Sequence, residues 1–183
     1  MFTNNYIKFR DMMFIGSSSY GGFVSSSGTS YKAQAQYSST SGDIGAFMNR
    51  AYCQDIMSGE FGGAASCYPG VYFGRGTTEP TRDDYRLESQ ITSGLSIVTP
   101  SGFAWSMDAE GRRHAMSTFT VTNSSSEEIT ISEAGYYSAL ASSSSKYYQV
   151  LMERQVLTEP IVIPSGESRI ITYELVFNQS SGV

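Results

Sequence analysis

From Phe119 to Phe177 apolar and polar residues alternate with a period of two. Phe119 and Val121, Ile129 and Ile131, Val150, Ile161 and Ile163, and then Ile171, Tyr173, Leu175 and Phe177 recur mostly at every second position. Successive side chains of a strand point to opposite faces, so this spacing predicts strands whose apolar members line one buried surface. The interruptions carry turn chemistry: Asn123-Ser124-Ser125-Ser126, then Ser142 to Ser145, then Pro164-Ser165-Gly166-Glu167. Four or five strands separated by such short breaks predict an antiparallel sheet that buries one face against a second sheet. The expected fold class is mainly β: an antiparallel β-sandwich, immunoglobulin-like or jelly-roll-like, with an extended N-terminal arm and one short helix.

Upstream of this region the same reading gives a short strand at Val71-Tyr72-Phe73, a tight bend at Gly74-Arg75-Gly76 and a polar turn through Thr77 to Thr81. Further strands are expected over Gly94 to Val98, Phe103 to Met107 and Ala115 to Thr122, with Asp108 to Arg113 as a hairpin turn. The strand-rich domain spans 67–179, and 180–183 form a tail.

Residues 1–66 differ in character. Their first fifteen fit two descriptions. One is a short amphipathic helix with Tyr6, Phe9, Met13 and Phe14 near helical spacing and Thr3 or Asn4 as cap; the other is an extended arm. A Gly/Ser-rich stretch follows, in which aromatics stand singly at Tyr20, Phe23, Tyr31 and Tyr37. Isolated rings in a pliant backbone suit docking on a neighbouring subunit. Tyr6, Phe9, Phe14, Tyr20, Phe23, Tyr31 and Tyr37 are therefore candidate interaction residues. Asp43 to Met57 is expected to be the one helix, ended by Gly59 and the Gly62-Gly63 pair.

Composition narrows the function. In 183 residues there are 13 Tyr, 10 Phe and 18 Gly, against only 16% charged residues, a mix suited to sheets and protein contacts. The net charge of −5 and scattered Lys and Arg argue against nucleic acid as a partner. Without an apolar run of ~18 residues no membrane helix is expected. The first residues lack a basic segment followed by a clean apolar one, which predicts synthesis and assembly in a cytoplasm. Cys53 and Cys67 are expected to be free thiols.

Candidate chemistry is sparse. Gly74-Arg75-Gly76 lacks the lysine of a phosphate loop and the third glycine of a dinucleotide loop, and Pro80 follows in a turn. His114, the single histidine, has no nucleophile motif beside it and reads as a surface residue. Asp83-Asp84 and Glu127-Glu128 lie in turns and read as solvated acids. No catalytic, cofactor or metal residue is assigned, and the expectation is a protein that is not an enzyme.

Two stretches do form a pattern. GVYFGRGTTEPTRDDYRLESQI contains G-x-G-T-T-x-P-x-x-x-D-Y-x-L, and ITISEAGYY, followed downstream by VLMERQVLTEPIVIPSGESRIITYELVF, has the matching second element. Together these resemble structural proteins of tailed-bacteriophage virions of gut-phage type: tail, neck/collar or head-associated components. The resemblance covers roughly 70–177, with Ala134 and Met152-Glu153-Arg154 departing from the usual residues. It implies a non-enzymatic virion protein that forms symmetric homo-oligomers and contacts other virion proteins. A receptor- or carbohydrate-binding module facing host-surface glycans is the alternative, with Tyr136, Tyr137, Tyr147 and Tyr148 as its aromatics. The structural residues of the pattern are Gly74, Gly76, Pro80, Tyr85, Leu87, Glu133, Gly135, Arg154, Pro160 and Gly166. Among them Glu133 and Arg154, on neighbouring expected strands, are placed for a cross-strand ion pair.

Overall fold

A computed structural model describes residues 1–8, 20–33, 70–98, 104–141 and 147–177. Nine strands run through these residues: β1 (Tyr20–Val24), β2 (Ser30–Ala33), β3 (Gly70–Gly74), β4 (Leu95–Val98), β5 (Ala104–Met107), β6 (Arg113–Asn123), β7 (Ile129–Ala141), β8 (Tyr147–Ile163) and β9 (Ser168–Phe177). All pairings are antiparallel. One sheet has the order β3-β7-β8. In the other β6 is central, with β9 along one side and β4 and β5 sharing the opposite side. β1 and β2 form a separate hairpin.

The alternation seen in the sequence decides which side of each sheet is buried. Val71, Phe73, Ala134, Tyr136, Val150 and Ile163 of the first sheet and Phe119, Val121, Ile171, Tyr173 and Leu175 of the second belong to one core. Two antiparallel sheets sharing a core make a β-sandwich. Each large apolar side chain so buried contributes about 1.5–3 kcal/mol. Asn123 fixes a corner between the sheets. Its fully buried side chain donates to the carbonyls of Glu127 (2.6 Å) and Ile163 (2.8 Å) and accepts from the Ser125 N–H (2.9 Å). The turn at Pro164–Glu167 closes against the same residue, through Gly166 N–H to Asn123 O at 2.9 Å, with Gly166 at φ 75°.

Two expectations are made definite. Of the four or five strands expected, Val150 and Ile161–Ile163 lie on one, β8, of 17 residues. Its register shifts between Val156, opposite Glu133, and Ile161, opposite Ile131, so Leu157 to Pro160 stand against the single residue Ser132. Pro160 lacks an N–H for the ladder, and a bulge is where a strand tolerates it.

The second concerns the arm. Residues 1–8 and the β1–β2 hairpin pack on their own chain. Phe2 bridges to Glu153, the Thr3 N–H bonds Met152 O at 2.9 Å, and Thr3 Oγ1 donates to Leu151 O at 2.6 Å. A single helical turn covers residues 4–8. Thr3 stands where a cap would, but its hydroxyl is spent on β8. Asn5 binds the backbone of Val24 like a strand residue, donating to its carbonyl (2.8 Å) and accepting from its N–H (2.9 Å). Phe23 is 0% exposed within the core, and Tyr6 stacks on Phe2 (4.1 Å) near Phe177. Both rings therefore take part in this chain's own packing, Phe23 wholly and Tyr6 in part. Tyr20 and Tyr31 stand on β1 and β2. Phe9, Phe14, Tyr37, the expected helix from Asp43 to Met57, Cys53, Cys67, the Ser142–Ser145 loop and the 180–183 tail lie outside the described residues.

Candidate functional site

Gly74, Gly76, Leu87, Glu133, Gly135 and Arg154, from the two patterned stretches, meet on the outward side of the β3-β7-β8 sheet. Glu133 on β7 and Arg154 on β8 are offset by two positions, since Arg154 pairs with Gly135 and Glu133 with Val156. That diagonal lets Arg154 Nε reach Glu133 Oε2 at 2.8 Å. Both residues are buried, at 0% and 2% exposure. A carboxylate removed from water needs its lone pairs filled. Here Oε1 accepts the N–H groups of Gly76 (3.0 Å) and Ser89 (2.7 Å), and Oε2 also accepts that of Glu88 (3.1 Å). The guanidinium is filled in the same way, by Asp84 (2.9 Å) and Glu88 (3.3 Å).

The segment between β3 and β4 is thereby drawn over the sheet. Glu88 accepts from the N–H groups of Thr77 (3.0 Å) and Thr78 (2.9 Å) and from the Thr78 hydroxyl (2.8 Å). Asp84 closes the turn after Pro80 by accepting from the Thr81 N–H (3.0 Å) and hydroxyl (2.8 Å). Hydrogen bonds from Thr78, led by its N–H, and the Arg154 charge hold the Glu88 carboxyl below its ordinary value. Partial burial pushes Asp84 upward, but the bonds from Thr81 and Arg154 outweigh it and the net shift is downward.

Small residues make the room. A Cβ on Gly74 would overlap the Glu133 carboxylate, and one on Gly76 would lie 2.6 Å from both Glu133 Cδ and Glu88 Cβ. At Gly135 a Cβ would fall 2.8 Å from Leu87 and 2.9 Å from Leu151. Leu87 then completes a second apolar cluster with Tyr72, Tyr137 and Leu151, and its N–H donates to the Tyr137 hydroxyl at 2.7 Å. Tyr85 is half-buried, against Gly28 of the hairpin. The bend at Gly74-Arg75-Gly76 is thus a seat for a carboxylate of the same chain.

Every acid in this cluster accepts several hydrogen bonds, and the two hydroxyls bonded to it, those of Thr78 and Thr81, close turns of the same loop. Its chemistry is that of a staple. Sequence reasoning placed Glu133 and Arg154 together but left Asp84 and Glu88 as solvated or unassigned acids. The available signal was the D-Y-x-L-E run, whose acids at 84 and 88 share one side of the loop.

A second polar cluster sits at the far sheet. His114 Nε2 lies 2.9 Å from Asp108 Oδ2, and Nδ1 lies 2.7 Å from Glu174 Oε1. Arg112 also binds Asp108, at 2.6 Å. Both ring nitrogens face carboxylates, so the cationic imidazole is favoured. Asp108 and then Glu174 raise its pKa above 6.5, while His114 and Arg112 hold Asp108 far below the usual carboxylate range. The reading of His114 as a plain surface residue is thus refined: it ties the β5–β6 hairpin to β9.

Asp83 and Asp84 diverge, Asp83 accepting from Asn4 Nδ2 (2.8 Å) and Asp84 from Arg154. Glu127 and Glu128 are exposed. Of the glycan-facing aromatics, Tyr136 and Tyr137 are each 1% exposed; both stand on β7, one turned to each side of the sheet, and both sides are covered. Tyr147 and Tyr148 stand at the start of β8. Trp105 on β5 is 49% exposed and stacks on Phe177 at 5.9 Å. Among the described residues no group of His, Cys, Asp or Glu is arranged to hold a metal, and no helix is long and apolar enough to cross a membrane.

No protein-family model, curated protein or solved structure matches the chain.

Proposed function

We propose that the protein is a non-enzymatic structural component of a tailed-phage virion, in the tail, neck/collar or head, which assembles as a symmetric homo-oligomer beside other virion proteins. The observation that carries this reading is the convergence of the two pattern stretches. Gly74, Gly76, Asp84 and Leu87 come from one, and Glu133, Gly135 and Arg154 from the other. These residues build a single staple, which supports reading the resemblance as one of a folding unit. A loop bolted down by a saturated ion network suits a rigid building block, whose affinity per contact is multiplied by symmetry. The burial of Tyr136 and Tyr137 removes half of the aromatic set behind the glycan-binding alternative.

Antibody labelling of purified particles from a lysate, with mass spectrometry of their proteins, tests the proposal. The chain is expected in genome-filled particles, at a copy number set by their symmetry, and to stay there through high-salt washing. Its absence from washed particles overturns the proposal.

A further inference from the structure

The β4/β5-β6-β9 sheet turns its outward side to solvent. Val98, Thr120 and Ile170 are cross-strand neighbours there, forming one row. Val98 is 67% and Ile170 76% exposed. On the same side, the Thr118 and Thr172 hydroxyls bond each other at 3.2 Å, and those of Thr122 and Ser168 at 2.7 Å.

We propose, resting on the reading of the chain as an assembling structural protein, that this face docks a second copy of the chain, sheet against sheet across a two-fold axis. Three observations select that occupant. First, Thr118 pairs with Thr172 and Thr122 with Ser168 across the strands, so each pair carries one internal O–H···O bond that lowers the cost of covering it, and the threonine methyl groups are left to pack. Second, the chain carries a net charge of −5, yet the charged strand residues on this face, His114 and Glu174, lie at one end and are paired with each other. A neutral centre is where two equally acidic copies meet without repulsion, whereas a partner selected by charge would find nothing to read. Third, the area suffices. With ~3.3 Å per residue along β6 and ~4.8 Å between three strands, the footprint is roughly 500 Å² per copy. A pair then buries about 1,000 Å², the lower bound for a specific interface, and forms a weak contact that higher symmetry reinforces.

The test is sedimentation equilibrium of the full chain from about 1 to about 100 micromolar. A reversible monomer–dimer equilibrium is expected in the wild type. Thr120→Lys brings two like charges together at the centre and weakens dimerisation by about tenfold or more. Mixing Thr120→Lys with Thr120→Glu restores pairing, as a heterodimer. Ile170→Asp is a second variant should the first fail to fold; its circular dichroism stays that of the wild type and its dimer is lost. A wild type that remains a single copy throughout overturns the proposal, as does a dimer retained in Thr120→Lys or Ile170→Asp. Failure here and failure of the virion reading are separable. A solitary chain that is nonetheless found in washed particles removes only the docking face. A dimer broken by these variants, in a chain absent from particles, removes only the virion reading.

Discussion

The outward sides of the two sheets arise from the same alternation and end in opposite states. Behind β3-β7-β8 a loop lies over the sheet, glycines open a space, and Glu133 and Arg154 are shut away from water within it. Outside β6 and β9 no loop among the described residues covers Thr118, Thr120, Thr172 and Ile170, which are exposed. The comparison teaches that a polar residue at an outward strand position is not thereby a solvated one. What decides its state is whether the following loop carries donors at the right spacing. Here the loop brings the Gly76, Glu88 and Ser89 N–H groups to one carboxylate.

The sharpest way to break this contrast is to remove the guanidinium. Arg154→Met leaves Glu133 buried with its charge unpaired and frees Asp84 and Glu88, at an expected cost of about 3–5 kcal/mol in chemical denaturation. A loss below about 1 kcal/mol would mean that water already reaches the pair. Next comes Gly76→Ala, whose methyl group needs the space of the Glu133 and Glu88 side chains; overpacking of this kind costs about 1–3 kcal/mol. The same measurement on Gly111→Ala offers a control, since a Cβ there meets nothing and only the φ of 78° is strained.

A smaller effect distinguishes the exposed sheet through pH. His114 has a folded pKa raised above the ordinary 6.5 by Asp108 and Glu174, with Arg112 and Glu110 also near Asp108. Its stabilisation is therefore complete below about 6.5 and is lost as pH rises through the folded value. Asp108, with its pKa depressed, acts in the opposite sense, and its share is lost only in strong acid. Urea midpoints recorded across neutral pH should fall with rising pH in the wild type and stay flat in His114→Gln. The smallest effect is expected on the exposed face itself. There Thr120→Lys should shift the unfolding free energy of the isolated subunit by no more than about 0.5 kcal/mol.

Much of the sandwich was legible because a period of two survives tertiary packing: β6, β7 and β9 bury the alternate residues that the sequence marks. The turns at Asp108–Arg113 and Pro164–Glu167 were legible from Gly111 and Gly166, which adopt positive φ. Three features were hidden for physical reasons. The continuity of β8 was masked by the bulge before Ile161, where Thr158, Glu159 and Pro160 look like a turn and are exposed like one. The packing of residues 1–8 was masked because it rests on single long-range bonds, such as those of Thr3 and Asn5, that leave no periodic trace. The ion network was half legible. Neighbouring strands suggested Glu133 with Arg154, whereas the two further acids lie in a loop whose path no local rule fixes.

Met1 to Thr3 find their hydrogen-bonding partners at Leu151 to Arg154, about 150 residues later. As the polypeptide is made, residues 1–3 have nowhere to settle until 151–154 have emerged behind them. Closure of this domain should therefore be slow, and a product cut short before 151–154 should stay prone to aggregation.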